Sequence, residues 1–294
     1  MIAKSWSAAP ALTALRSRRA PRFVVVAWLL GVLVVIAWAA PFLWMVSTSF
    51  KPPGEVMTRD VQWIPRHPTP ANYEKVFEKP VWRWLANSLI VATSATTISL
   101  ITSAMAGYAF ARLHFPGRNV LFFLVLATLM IPQEMTIVPL FIGFLRAELV
   151  DNYAAFILPS IASVFGVYLF RQFFLSLPRD LEDAARVDGA GRFRIFFSVA
   201  LPLAKPAVIA AAILIFTTNW NAFLWPLLVA FSENMKTLPV GMATYSPGIG
   251  GQTQIESFGP AMAAMTILTL PSLIVFIVLQ RHFIEGVTSA GIKG

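Results

Sequence analysis

Cysteine is absent from the 294 residues, which excludes disulfides, iron–sulfur clusters and thiolate zinc sites. Histidine is scarce. His67, His114 and His282 lie far apart and offer no metal-ligand spacing. Charge is scarce as well: 13% of the residues are charged, against about 25% in an ordinary soluble domain. No G-x-x-x-x-G-K-[ST] loop is present to cradle a nucleotide phosphate. Neither a G-x-S-x-G elbow nor an H-E-x-x-H pair occurs. The chain is therefore not expected to hydrolyse ATP itself or to carry a cofactor. Catalytic residues and metal ligands are expected to be none.

What fills the sequence is apolar, at 57% hydrophobic residues. A helix crosses a bilayer in about 20 residues. Phe23 to Phe50 runs 28 residues without a charge. Five further stretches read as spans: Trp84 to Ala111, Val120 to about Gly143, Asn152 to Phe170, Pro206 to Ser232 and Pro260 to Gln280. The expected fold is an all-α membrane protein with six transmembrane helices, in contact with a lipid bilayer. Ala37-Trp38-Ala39 resembles a signal-peptidase site, so a cleaved leader is the alternative to a retained first span. The apolar run continues past it to Phe50 and favours retention. In the second span, Ala95, Ser99, Ser103, Gly107 and Ala111 recur every four residues. Such small-residue stripes let membrane helices approach closely. A lining role for Ser99 or Ser103 is the weaker alternative. Glu134, about 20 Å along the third span from Val120 at 1.5 Å per residue, is expected near the far interface.

The net charge of +9 fits membrane orientation better than nucleic acid. The basic residues lie between apolar spans rather than among aromatics on a polar domain, so no nucleic-acid partner is expected. With residue 1 in the cytoplasm, 15 of the 23 Lys and Arg fall on inside segments and 8 outside. The positive-inside rule then places both termini in the cytoplasm. Lys51 to Arg83, rich in proline, becomes an outer loop with irregular turns.

One polar stretch interrupts the apolar second half: Leu177 to Pro206. It is too short for a catalytic domain. Pro178 suits the first turn of a helix, and Asp180, Glu182 and Asp183 favour the positive end of its dipole. Asp188-Gly189 ends it, because glycine takes the left-handed conformation without steric penalty. A second helical segment carries Phe193, Phe196, Phe197 and Ala200 on one face. Ala184-Ala185 keep one surface of the first helix small, open to a partner's backbone. The plain alternative is a solvated loop joining two spans.

Asp183-Ala184-Ala185, three residues, Gly189, nine residues, and Val199-x-Leu201-Pro202 resemble the EAA loop of ABC-importer permeases, E-A-A-x3-G-x9-I-x-L-P. Asp183 stands for Glu and Val199 for Ile. Trp220-Asn221-Ala222-Phe223-Leu224-Trp225-Pro226 is similar to the family's W-N-[DE]-F-L-W-P, with Ala222 in place of the acid. The Gly-rich end of the chain resembles that of sugar-permease subunits. Together these resemble the second permease subunit of a carbohydrate ABC importer of the maltose type, in a bacterial or archaeal inner membrane. The resemblance implies a division into a cytoplasmic segment (1–22), a six-span permease domain (23–284, with the coupling loop at 177–206) and a cytoplasmic tail (285–294). It implies a homologous permease, two ATPase subunits or a homodimer of them that bind the ATP, and an extracytoplasmic sugar-binding protein. Leu181, Glu182, Asp183, Ala184, Ala185, Asp188 and Gly189 would form the coupling helix that docks on the ATPase. Which of the two neighbouring carboxylates meets the ATPase stays open. Asn219 and Asn221 are candidates for lining the sugar path, since amides hydrogen-bond hydroxyls; interhelical hydrogen bonding is their other reading. Cargo of another class, such as amino acids or peptides, remains an alternative, as does a membrane-embedded enzyme.

Overall fold

The computed structural model describes residues 22–56, 58, 62–246 and 254–291. Most of the basic N-terminal segment and the last three residues of the tail lie outside them. Among the described residues regular structure is helical. In chain order the α-helices are α1 (Arg22–Ser49), α2 (Pro53–Val56), α3 (Ala71–Phe77), α4 (Val81–Arg112), α5 (Arg118–Ala127), α6 (Gln133–Arg146), α7 (Tyr153–Ile157), α8 (Val164–Ser176), α9 (Asp180–Val187), α10 (Arg192–Ile195), α11 (Leu201–Leu203), α12 (Lys205–Trp220), α13 (Leu224–Val229), α14 (Leu238–Ala243) and α15 (Gln254–Gly291).

Among the described residues three helices are long and apolar enough to cross a membrane: α1, α4 and α15. The apolar stretch of α1 buries nothing within the chain, and Trp28 and Leu33 are fully displayed. A helix apolar all round needs an apolar surrounding, here lipid or another subunit. Around α4 the rest of the molecule packs. Ala95, Ser99, Ser103 and Ala111 are all buried, as the small-residue stripe requires. A Cβ on Gly107 would stand 2.6 Å from the Cβ of Phe170, so the α4–α8 approach depends on glycine there.

The remaining spans are broken. α5 with its 3-10 extension (Thr128–Met130) meets α6 at 98°. The turn Tyr153–Ser160 meets α8 at 40°, and Arg192–Leu203 meets α12 at 79°. Each break has a local cause. Pro132 precedes α6 and holds Ile131 in extended backbone (φ −88°, ψ 114°), as the residue before a proline prefers. Pro159 sits in a 3-10 turn, and Ser163 then caps α8, accepting from the Gly166 N–H at 3.0 Å. Pro206 occupies the first turn of α12. The freed carbonyls at the second break do not go unpaired. The Thr102 hydroxyl donates to the Ile161 carbonyl and the Ser103 hydroxyl to that of Ser163. Helix breaks at membrane depth survive only when such groups, or a water-filled cavity, satisfy the backbone.

Four expectations are corrected here. The third span does not run unbroken from Val120 to Gly143, because the turn at Pro132 redirects the chain. Glu134 consequently lies in the first turn of α6, close to the break rather than a full span beyond Val120. The fifth span ends at Trp220, with α13 a separate short helix beyond residues 221–223. The outer loop is more ordered than irregular turns suggest. Lys51 is buried and donates from Nζ to the Thr48 hydroxyl (3.2 Å) and the Gln62 carbonyl (2.6 Å).

Candidate coupling surface and cavity at the helix breaks

The polar insert folds as two short helices around Gly189. Asp180, Glu182 and Asp183 occupy the first turn of α9, with Pro178 just ahead of it. At the other end, Gly189 takes φ +82°. Its N–H bonds the Arg186 carbonyl (3.0 Å) and the Ala190 N–H bonds that of Ala185 (3.0 Å). These two bonds make a Schellman turn, which satisfies carbonyls that a helix end leaves free. The chain then re-enters at Gly191 and α10.

The two neighbouring carboxylates of α9 face opposite ways. Glu182 is buried. Its Oε1 lies 3.0 Å from Arg112 Nε, opposite charges in contact though the N–H is not aligned on the oxygen. Its Oε2 accepts from the Tyr108 hydroxyl at 3.2 Å. Arg112 also donates from Nη2 to the Leu177 carbonyl at 2.6 Å. One ion pair thus ties both ends of the α8–α9 junction to the last turn of α4. Beneath it, Tyr108 and Phe196 each meet Phe174 edge to face and lie tilted against one another, with ring centroids 5.2–6.3 Å apart. Phe196 and Ala200 of the expected apolar face are buried, whereas Phe193 and Phe197 are exposed. The five-residue π turn at Phe196–Ala200 changes the helical period, so one face does not hold all four.

Asp183 points outward and pairs with Arg186 at 2.6 Å, both more than half exposed. Leu181 and Val187 are open to the surroundings, Val187 at 88%, and Ala184 and Asp188 are exposed beside them. Ala185 is half-buried. Val187 was missed from sequence. Its signal was an apolar residue three positions after Ala184 and six after Leu181, on a helix otherwise charged. Between α9 and the end of α4 lies a cleft of about 290 Å³, lined by Arg179, Arg186 and Arg192 with Asp183 and His114.

The helix breaks surround a second opening, a cavity of about 570 Å³. Asn219 lines it with Ser99, Thr128, Gln133, Ser163 and Thr218; Phe165, Leu129 and Ile131 form apolar wall. Asn219 donates to the Ile215 carbonyl at 2.9 Å, and its Oδ1 has no partner among the described residues. Asn221 does not reach this cavity. It lies past the end of α12, with its Nδ2 on the Thr217 carbonyl at 2.8 Å. The two tryptophans of the W-N-x-F-L-W-P segment are structural. Trp220 is buried and stacks on Phe216 at 5.9 Å, and Trp225 donates to the Ala155 carbonyl at 2.8 Å.

Known proteins share this architecture. The family described as binding-protein-dependent transport system inner membrane component matches residues 99–289. The chain is 41% identical over 277 residues to the arabinooligosaccharides transport system permease protein AraQ of Halalkalibacterium halodurans, covering 92% of this chain and 98% of that protein. It is 35% identical over 278 residues to the diacetylchitobiose uptake system permease protein NgcG of Streptomyces coelicolor, covering 92% and 89%. A crystal structure of a bacterial ABC transporter involved in the import of the acidic polysaccharide alginate superposes with TM-score 0.78 at 25% identity, over 94% of this chain and all of that one. By family, by relatives aligned almost end to end and by fold, the chain belongs to the inner membrane permease components of binding-protein-dependent ABC importers.

Proposed function

We propose that this chain is one of two homologous permease subunits of an ATP-driven sugar importer. The two permeases form an alternating-access path, and α9 transmits the conformational cycle of an ATPase pair. One observation carries the coupling assignment. α9 is fastened from inside by Glu182–Arg112 and displays Leu181, Asp183, Ala184 and Val187 outward. A loop that merely joined two spans has no need of a buried ion pair to set its rotation, nor of a fully displayed valine. Binding energy for a partner comes from apolar anchors of this kind, with charges fixing register.

Sugar as cargo is supported by the relatives, whose names specify arabinooligosaccharides and diacetylchitobiose. Orientation follows the basic residues, with α9 and both termini in the cytoplasm. Delivery would come from an extracytoplasmic binding protein, a reading supported by the family's description as a binding-protein-dependent transport system. Hydrolysis belongs to the partners, since the chain has no phosphate loop.

The test is reconstitution. Proteoliposomes holding this chain, its partner permease, the ATPase and the binding protein are expected to import a labelled oligosaccharide only with ATP. Uptake that persists without the ATPase subunit, or ATP turnover by this chain alone, would refute the reading.

A further inference from the structure

Between α4 and the start of α12 the molecule carries a groove of about 480 Å³. Its walls are apolar, built by Ile101 of α4, Phe196 and Phe197 of the π turn, and Leu201. The two phenyl rings meet edge to face at 4.8 Å. The one hydroxyl there, on Thr97, is spent on the Thr93 carbonyl at 2.8 Å. Of the eleven lining residues a single one is charged, Lys205. Lys205 is exposed, and its ammonium has no ion pair or hydrogen bond among the described residues.

Helix geometry sets the depth of that cation. α12 runs antiparallel along α4: Ala207 and Ala211 share a core with Ala104 and Ala111, and Trp220 shares one with Ala92. Ile215 and Ser99 line the same cavity at the helix breaks. At 1.5 Å per residue, Lys205 lies about 15 Å before Ile215, and Arg112 lies about 20 Å after Ser99. Lys205 is therefore within about 5 Å of the depth at which α4 ends, at the membrane surface. Thr97, at the other end of the groove, is about 22 Å from Arg112 and deep in the hydrocarbon. The segment Arg192–Leu203 meets α12 at 79°, so it lies nearly in the membrane plane, with Phe197 and Leu203 displayed. Helices that lie in this way rest in the interface, apolar side chains among the acyl chains and basic ones among the headgroups.

We propose that this groove holds an acyl chain of an anionic phospholipid whose phosphate pairs with Lys205. The order of the chemistry selects the occupant: an unpaired cation at the surface, then an apolar channel running inward. A phospholipid carries the matching parts in the same order. A sugar finds no free hydroxyl or amide here, and a soluble anion finds nothing beyond the one lysine. An anionic headgroup is preferred because a zwitterionic one brings its own cation to offset the phosphate. The lipid steadies the coupling insert against the bilayer, since Arg192–Leu203 follows α9 directly across Gly189. Neither the cargo nor the docking of an ATPase enters this assignment.

The test places the complete importer in nanodiscs with a trace of phosphatidylglycerol bearing a photoreactive acyl chain. Crosslinked peptides are mapped on this chain, and labelling of 97–104 and 196–208 is divided by labelling of α1. α1 buries none of its apolar stretch within the chain and reports lipid that merely surrounds the protein. The ratio is expected to be several-fold higher in a phosphatidylcholine host than in a phosphatidylglycerol host, where unlabelled anionic lipid competes. In the phosphatidylcholine host, Lys205→Gln should lower it by about 5-fold, the worth of one basic residue at an anionic surface. Ile101→Trp, at an exposed position, should lower it with the charge intact, by filling the groove. A ratio unaffected by the host lipid, or unaffected by Lys205→Gln, would overturn the inference. Labelling of α1 with none in the groove would overturn it too, and would show that another subunit covers this face. If Lys205→Gln does not assemble, the host-lipid comparison on wild type decides. Sugar uptake by the same complex is measured separately, so the importer reading stands or falls on its own result.

Discussion

Glu182 and Asp183 are neighbours in sequence with opposite work. Glu182 is spent inside the molecule on Arg112 and Tyr108, and Asp183 remains on the surface beside Arg186. Sequence left open which carboxylate faces a partner, because helix phase at α9 is decided by Arg112, 70 positions upstream. Removing one side of a buried ion pair costs about 3–5 kcal/mol. Glu182→Ala is therefore expected to lower the thermal stability of the purified chain markedly and to loosen α9. Glu182→Gln keeps an acceptor for Tyr108 and is expected to cost less. Asp183→Lys, at an exposed position, should leave stability within about 0.5 kcal/mol. A thermal-unfolding series ranking Glu182→Ala below Glu182→Gln below Asp183→Lys checks the assignment; equal values for all three would contradict it. The two asparagines teach a similar lesson. Residues two apart on a helix point about 200° apart, so one cavity was never going to hold both Asn219 and Asn221.

At the scale of elements, the coupling loop was legible because its signals are local. Acidic residues in a first turn, a glycine at the C-terminal cap and a fixed register to Leu201-Pro202 need no tertiary knowledge. Gly189 meets nothing within 4 Å where a side chain would go, so any cost of replacing it is a backbone cost. A β-branched residue at φ +82° is a steric outlier, worth about 1–3 kcal/mol, while asparagine tolerates that region. Gly189→Val is expected to lose uptake at normal membrane levels, and Gly189→Asn to keep most of it. Transport that falls equally in both would point to the space around Gly189 rather than its conformation. The bends were less legible. Hydropathy counts apolar residues regardless of direction, and Ile131-Pro132 lies inside a run that reads as one span. Pro132 marks a place where the helix can break, but nothing local sets the angle, which is 98° in the folded chain.

For the whole molecule, orientation is an expectation from the distribution of Lys and Arg, and the cysteine-free sequence makes it easy to check. Val187→Cys and Ile64→Cys place single thiols at two of the most exposed positions, at 88% and 81%. An impermeant thiol reagent applied to sealed cells is expected to label position 64 and to reach position 187 only after permeabilisation. The reverse pattern would invert the topology and remove α9 from the ATPase. The proposed coupling requires α9 to be the surface through which ATP hydrolysis is felt. That claim is tested most directly by co-purifying the ATPase subunit with the membrane-inserted importer carrying Asp183→Lys or Val187→Glu. Both changes lie on the displayed face and leave the Glu182–Arg112 anchor intact. Normal membrane levels and normal pairing with the second permease are expected, with sharply reduced ATPase recovery and lost uptake. Full ATPase recovery and full uptake by both variants would contradict that claim and leave α9 a solvated connection between two spans.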